Sequence, residues 1–347
     1  MHTTMNGHHR ALIIYTLLCV SISGVARAGE QNARTGKIHI PSGYWSLQLE
    51  NDFLAGSGDR QYTHGFEVSF VNNTEPPVWM HTLARYLPFF EVGTDNWVMY
   101  SLGQAMFTPD DISVPNLTVT DRPYAGWLYA GHAYHSQNRF SADLYHLNMV
   151  ELVVGLVGPD SGADSVQTYL HKVLPAPDPQ GWGHQLRNEA GILLGYVHRW
   201  RLFGHGPGPY ESEFSPHAAL SVGNIYTYAG LGIMYRWGTG LRDDIGPPNI
   251  RPGFAGSSYF SRQTQRNWYL FAGAEGRIMY RNIFLDGNSR HDSHRVEKER
   301  YVGDVQMGFA LHINRMRIAY SHILRSREFT TQSRSMTYGA INLTLYH

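Results

Sequence analysis

Two short segments of this sequence carry the side chains best suited to chemistry. Glu50-Asn51-Asp52 lies where an alternating stretch gives way to polar residues, and Asp59-Arg60-Gln61-Tyr62-Thr63 follows on the return. Alternation puts Asn51 on the same face as Leu47 and Leu49, and an amide left unpartnered on an apolar face costs roughly a few kcal/mol. Something should therefore bind it, unless the Asn-Asp pair simply begins a turn, as it often does. Thr63 has the parity opposite to Phe66, so sharing a site with Asn51 requires a bulge or an irregular loop. In the second segment, Ser161-Gly162-Ala163-Asp164 reads as a capping box, with Ser161 as N-cap and Asp164 at the third helical position. A helix is expected to run from there to about Leu174, where Pro175 and Pro177 end it. Asp164, Gln167 and His171 share one face of that helix, and Val166, Leu170 and Leu174 line the other. An imidazole exchanges protons near neutral pH, although in a chain with 19 histidines any one of them is ordinarily a surface or interface residue. No Gly-x-Ser-x-Gly motif offers a serine nucleophile.

The elements that must position these residues are strands. Trp45, Leu47 and Leu49 alternate with Ser46, Gln48 and Glu50. Phe66, Val68 and Phe70 alternate with Glu67 and Ser69, and Ile341, Leu343 and Leu345 alternate with Asn342 and Thr344. Two faces of different polarity match a barrel with lipid outside and a polar interior; a soluble β-sandwich would alternate in the same way. About twelve strands are legible, with ends good to a few residues. They lie at 43–51, 63–72, 97–107, 125–137, 142–156, 189–202, 212–224, 225–237, 267–283, 300–312, 315–325 and 336–346. An even count places both termini on the periplasmic side. The segments 52–62, 108–124, 157–188, 284–299 and 326–335 then share the extracellular end. The links 136–141 and 313–314 fall at the other end, together with the long segments 73–96 and 238–266.

The start of the chain bears on the compartment. His8, His9 and Arg10 precede the apolar run Ala11 to Val20, and Ala26-Arg27-Ala28 has the small-x-small pattern of a cleavage site. A run of about ten residues is too short to span roughly 30 Å of hydrocarbon. The reading is therefore a signal peptide over 1–28 and a barrel domain over 29–347. Cys19 is the only cysteine, and Leu18 before it argues against lipoprotein processing, so cleavage after Ala28 leaves no disulfide. The 28 basic and 28 acidic residues balance, which leaves no basic surface for nucleic acid. Charged residues make up 16% and aromatic residues 13%, where a soluble domain usually has about a quarter charged. Beyond the signal, no stretch of 18 or more apolar residues offers a membrane helix. A chain that spans a bilayer without one must close its sheet. The fold class is therefore all-β, an antiparallel transmembrane β-barrel with a short helix in an extracellular loop, located in the bacterial outer membrane.

At this point the residues resemble a family. Leu49-Glu50-Asn51-Asp52-Phe53, then Asp59-Arg60-x-Tyr62-Thr63-x-Gly65, then Thr120-Asp121-Arg122-Pro123-Tyr124-Ala125-Gly126 is similar to the lipid A 3′-O-deacylases of the LpxR type. So is Gly155-x-Val157-Gly158-Pro159 with Ser161-Gly162, Gln167 and His171, followed by Gly181-Trp182-x-x-Gln185 and Asn188-Glu189. The resemblance runs in order from residue 43 to 190 and more loosely to the C-terminus. It implies a twelve-stranded outer-membrane barrel and a calcium-dependent esterase. That enzyme removes the 3′-linked acyloxyacyl group from lipid A in the outer leaflet. It places the catalytic Asn-Asp pair at Asn51 and Asp52, which would also hold Ca2+, the hydroxyl residue at Thr63 and the histidine at His171. Tyr62, Gln167 and Trp182 are expected to support the site or meet the substrate. The family's acidic residue after the histidine falls at Pro177, and Asp178 beside it is the candidate substitute.

The chemistry of that set is coherent. A neutral His171 takes a proton from water as it attacks an ester carbonyl, and a carboxylate partner orients the ring. Calcium takes oxygen ligands and polarises the ester oxygen, while Thr63 donates to the developing oxyanion. The expected partner is lipopolysaccharide, met by a monomer, without nucleic acid or an organic cofactor. Two other readings compete: an outer-membrane phospholipase with the same water chemistry, and a catalytically inactive structural or porin-like barrel.

Overall fold

The computed structural model describes residues 43–55, 61–72, 74–93, 95–173, 176–247 and 266–346. The expected signal peptide with Cys19, the pair Asp59-Arg60, and Leu174 and Pro175 lie outside the described residues. The first strands are β1 Tyr44–Asn51, β2 Gln61–Asn72, β3 Asp95–Thr108 and β4 Ala125–Arg139. The next four are β5 Leu144–Val157, β6 Glu189–His205, β7 Glu211–Gly223 and β8 Tyr226–Gly238. The last four are β9 Asn267–Asn282, β10 Tyr301–Ile313, β11 Met316–Arg325 and β12 Met336–Tyr346. Every neighbour pairs antiparallel with the next, and β12 returns to β1 in the register Leu47↔Leu343. Closure leaves no edge strand, the condition for a sheet to sit in hydrocarbon. Two helices lie in the connections: α1 Val78–Ala84 between β2 and β3, and α2 Ala163–Val173 between β5 and β6.

Period-two alternation sorts the side chains as the sequence predicts. Ser46, Gln48 and Glu50 are buried in the lumen, while Trp45 and Leu49 are exposed on the outer wall. The odd-numbered loops meet at one end. Arg122, between β3 and β4, pairs with Glu328, between β11 and β12, at 2.7 Å. Gln180 N donates to Ile112 O at 2.9 Å, and His294 Nε2 lies 2.7 Å from Asp121 O. At the other end the two long connections take different sides of the wall. Residues 74–93, carrying α1, pack on its outside, where Met80, Ala84 and Phe90 cover Tyr134, Val150 and Tyr196. The start of the β8–β9 connection turns into the lumen instead.

There Asp244 meets Arg236 at 3.2 Å, Arg317 at 3.1 Å and His312 at 2.8 Å. Glu213 pairs with both Arg201 and Arg236. These side chains are essentially inaccessible to solvent. The lumen at this level is thus filled by ion pairs, which is the opposite of the water-filled channel of a porin.

One local expectation is corrected. Ser161 is not the N-cap of a capping box: it closes the 3-10 turn Pro159–Ser161, with its Oγ donating to Gly158 O at 2.6 Å. Gly162, at φ +69°, lets the chain turn into α2, and its carbonyl accepts the bond from Val166 N at 3.1 Å. Glycine takes that left-handed geometry without the strain a β-carbon would add.

Burial opposes ionisation of Asp244, but Arg317, His312 and Arg236 outweigh it and hold the carboxyl well below its ordinary range. Its stabilising contribution is therefore complete above the unfolded value of about 3.9 and erodes as pH falls from there toward the folded value. Asp244→Asn should destabilise the folded barrel by about 3–5 kcal/mol at neutral pH, because it strands buried cations. The gap between wild type and variant in urea unfolding should narrow below pH of about 4. A pH-independent gap would contradict the assignment.

Candidate functional site

The sheet registers align one lateral row at the extracellular end of the wall. Asn51 on β1 pairs with Gly339 on β12 and His64 on β2, His64 pairs with Met106 on β3, and Met106 pairs with Gly126 on β4. Asn51 alternates with lumenal Glu50, so this row looks outward, toward the membrane. Asn51 Oδ1 accepts from Phe53 N at 2.7 Å, the side-chain turn typical of Asn, so the residue both starts a turn and faces lipid. The 3-10 turn Asp52–Ala55 follows and buries Asp52. Leu54 lies where a β-carbon on Gly339 would be only 2.6 Å from it, and its carbonyl accepts from Tyr320 Oη at 3.1 Å.

Thr63 sits in the bulge that its parity required. The β2–β3 register shifts between Tyr62 and His64, so Tyr62 turns into the lumen while His64 turns out. Inside, Tyr62 Oη donates to Glu50 Oε2. Gly65 makes room for that bond, because a β-carbon there would come within 2.1 Å of the hydroxyl.

Helix α2 lies across the outside of the row. Gly126 admits its start, since a β-carbon would fall 2.1 Å from Ser161 Oγ and 2.4 Å from Ala163 Cβ. Below it, Met106, Ile112, Tyr124, Ala163 and Trp182 form one buried cluster on the outer wall. From Ala163 to His171 the helix rises about 12 Å, slightly more than two interstrand spacings of about 4.8 Å. That span carries it from β4 across β3 toward β2, bringing His171 near His64. The helix is amphipathic in the sense that lipid demands. Ala163, Gln167 and His171 are buried against the barrel, while Val166, Tyr169 and Val173 are exposed outward.

The polar face is organised. Trp182 Nε1 donates to Gln167 Oε1 at 2.7 Å, and Trp182 packs on Tyr124 with ring centroids 5.0 Å apart. Burial pushes the Tyr124 phenol up to about 12, so it stays a donor, to Ile112 O at 3.1 Å. Gln167 Nε2 is buried and, among the described residues, has no hydrogen-bond partner. His171 Nδ1 lies 2.5 Å from Pro177 O. A carbonyl only accepts, so Nδ1 is the donor in that contact.

The structure thus gathers Asn51, the Thr63 bulge, Gln167, His171 and Trp182 at one place, with Asp52 in the turn beside it. Tyr62 serves from the lumen side. Asp178 is exposed, and it is the Pro177 carbonyl that takes the position on the imidazole. The sequence offered no signal for His64, and it named Glu50 only as part of the Glu50-Asn51-Asp52 segment, without a partner. The link between His64 and Asn51 is a cross-strand register, and that between Glu50 and Tyr62 depends on the bulge.

A family model described as "Outer membrane protein LpxR" matches residues 12–347. Among solved structures, LpxR from Salmonella typhimurium superposes with a TM-score of 0.73 at 17% identity, covering 88% of this chain and 100% of that one. The β-domain of the Bordetella autotransporter BrkA follows at TM-score 0.45 and 8% identity, covering 88% and 100%. The KdgM porin gives 0.38 and 7%, covering 88% and 99%. No curated protein sequence matches.

The Tyr62–Gly65 contact makes a test of the bulge. Gly65→Ala should destabilise the barrel by about 1–3 kcal/mol through overpacking. Most of that loss should vanish in a Tyr62→Phe background, where the hydroxyl is gone. Additive effects in urea unfolding would show that the two residues do not meet.

Proposed function

The chain belongs to the LpxR family of outer membrane proteins, and we propose on that footing that it is a lipid A deacylase, removing the 3′-linked acyloxyacyl group. The observation that carries this reading is the placement of Asn51, the Thr63 bulge and His171 on the membrane-facing side of the wall, at its extracellular end. A substrate that never leaves the outer leaflet reaches them sideways, its acyl chains running along the outward apolar face of α2. Among the described residues, buried ion pairs around Asp244 and Glu213 occupy the lumen at the other end.

In the proposed reaction His171 Nε2 takes a proton from water as the water oxygen adds to the ester carbonyl. The tetrahedral intermediate collapses with loss of the sugar 3′-oxygen, which recovers the proton from the imidazolium. The products are the acyloxyacyl chain as a free carboxylic acid, its internal ester intact, and a 3′-hydroxyl. The bond from Nδ1 to Pro177 O fixes the tautomer and holds the ring through proton transfer, the orienting part that a carboxylate plays in other triads. Gln167 Nε2 and the Thr63 hydroxyl are donors for the oxyanion. Trp182 locks Gln167, and Tyr62 supports the bulge from within.

Calcium suits the donors present. Asn51 and Asp52 offer an amide oxygen and a carboxylate, the hard oxygen ligands that Ca2+ prefers. When bound, the ion would supply Lewis-acid polarisation of the ester oxygen. Backbone carbonyls, water and substrate would complete its coordination.

Mass spectrometry of lipid A from cells expressing each variant tests the reading. Wild type should remove one 3′ acyloxyacyl unit, and His171→Ala should slow this about 10²–10⁴-fold, the usual worth of a general base, with a heat-modifiable barrel intact. Asp178→Asn should stay close to wild type. Chelating calcium in isolated membranes should stop the reaction and calcium should restore it. Deacylation by His171→Ala would remove that residue from the mechanism, and cleavage of phospholipid in place of lipid A would reassign the substrate.

A further inference from the structure

The connection between β2 and β3 should, in a simple barrel, be a short periplasmic turn. Here residues 74–93 form a strap that climbs the outside of the wall. Tyr134 on β4, Val150 on β5 and Tyr196 on β6 are partners in one lateral row, and this row alternates with lumenal residues such as Glu151. Met80, Ala84 and Phe90 cover it. Tyr134 precedes Arg139, the last residue of β4, by about 17 Å of strand. The strap therefore reaches well above the periplasmic turns, to a level where a barrel wall ordinarily meets lipid.

Three observations fit that placement. First, the strap's backbone groups find partners on the wall: Gly93 N donates to Ser136 Oγ at 2.6 Å, Ser136 Oγ donates to Glu91 O at 2.8 Å, and Tyr196 Oη donates to Pro88 O. Such pairing is what a segment in contact with lipid needs. Second, Phe89 adopts φ +61°, a left-handed geometry that is a genuine outlier for a bulky residue. It splays neighbouring rings apart, leaving Phe90 buried and Phe89 71% exposed. Third, the outer side of the strap exposes large apolar and aromatic side chains, Val78 at 83%, Tyr86 at 84% and Trp79 beside them. They are interspersed with polar and charged Glu75, Thr82, Arg85 and Glu91, the mixture that suits an interface between headgroups and acyl chains. Amphipathic Trp and Tyr rings sit best at headgroup level, and the exposed Arg85 next to Tyr86 has the reach to meet phosphate.

We propose that the strap is an interfacial anchor whose partner is the phospholipid headgroup layer of the periplasmic leaflet, with Trp79, Tyr86 and Phe89 inserted at its boundary with the acyl chains. This inference is independent of the reaction proposed above. It is tested by replacing Cys19 with alanine and attaching an environment-sensitive fluorophore in turn to Trp79→Cys, Tyr86→Cys and, as a water-exposed reference in the β4–β5 turn, Ser141→Cys. Each full chain is refolded into phosphatidylethanolamine–phosphatidylglycerol vesicles containing a phospholipid brominated near the top of its acyl chains, and heat-modifiable migration confirms folding. The labels at positions 79 and 86 should be blue-shifted and quenched by the bromines, and the label at 141 should be neither. Quenching should persist when protein is diluted in excess lipid. Emission at 79 and 86 matching that at 141 would overturn the proposal. So would a blue shift lost on dilution, which would mark the strap as a contact between copies of the chain. Should either cysteine variant misfold, the other carries the test, together with Phe89→Cys.

Discussion

Hydrocarbon offers no hydrogen-bond partner, so a chain crossing it as strands must satisfy every backbone group by joining its last strand to its first. The pairing of β12 with β1 meets that constraint, and the rest of the molecule follows from it. A closed sheet has one inside and one outside, and successive side chains must alternate between them. Glu50 then belongs to the lumen and Asn51 to the membrane, although they are neighbours in sequence. The candidate site is built on the outside because alternation puts Asn51 there.

Alternation alone would not assemble the site. Tyr62 and His64 should share a face, and the shift of register between them sends one inward and the other outward. Bulges commonly re-aim side chains next to functional sites. Here the tyrosine that moves inward finds Glu50, so the lumen secures an irregularity used on the opposite side of the wall. The helix over the site obeys the same inside-outside logic with polarity reversed. Its polar stripe meets the barrel and its apolar stripe faces outward, because its surroundings beyond the wall are lipid and not water.

Closure also frees the ends of the barrel to differ. At the extracellular end the loops tie to one another through Arg122 and Glu328. At the periplasmic end one connection enters the lumen with Asp244, and another lies on the outer wall. Polar side chains on that wall, such as Ser136 and Tyr196, would be costly in bare lipid. They are tolerable because the strap covers and bonds them. The same reasoning accounts for Gln167 and His171, which α2 shields from the acyl chains.

The sequence by itself determined the twelve strands and their ends to within a few residues, because period-two alternation and turn chemistry are local properties. The choice of a barrel over a sandwich came from sparse charge and the closure a bilayer demands. Resemblance to a known family singled out Asn51, Thr63, Gln167 and His171 as candidates, and parity anticipated the need for a bulge at Thr63 if it was to join Asn51. The capping-box pattern misjudged Ser161, whose hydroxyl turned back to Gly158 instead of capping α2, since two geometries compete for the same short polar run. Only the tertiary structure decided that His64 stands beside Asn51, that the carbonyl of Pro177 and not the side chain of Asp178 meets His171, and that the β2–β3 connection climbs the outer wall. Each of these depends on a register between strands or on the path of a loop across them. Such contacts join residues that no local pattern links, and they exist only once the sheet has closed.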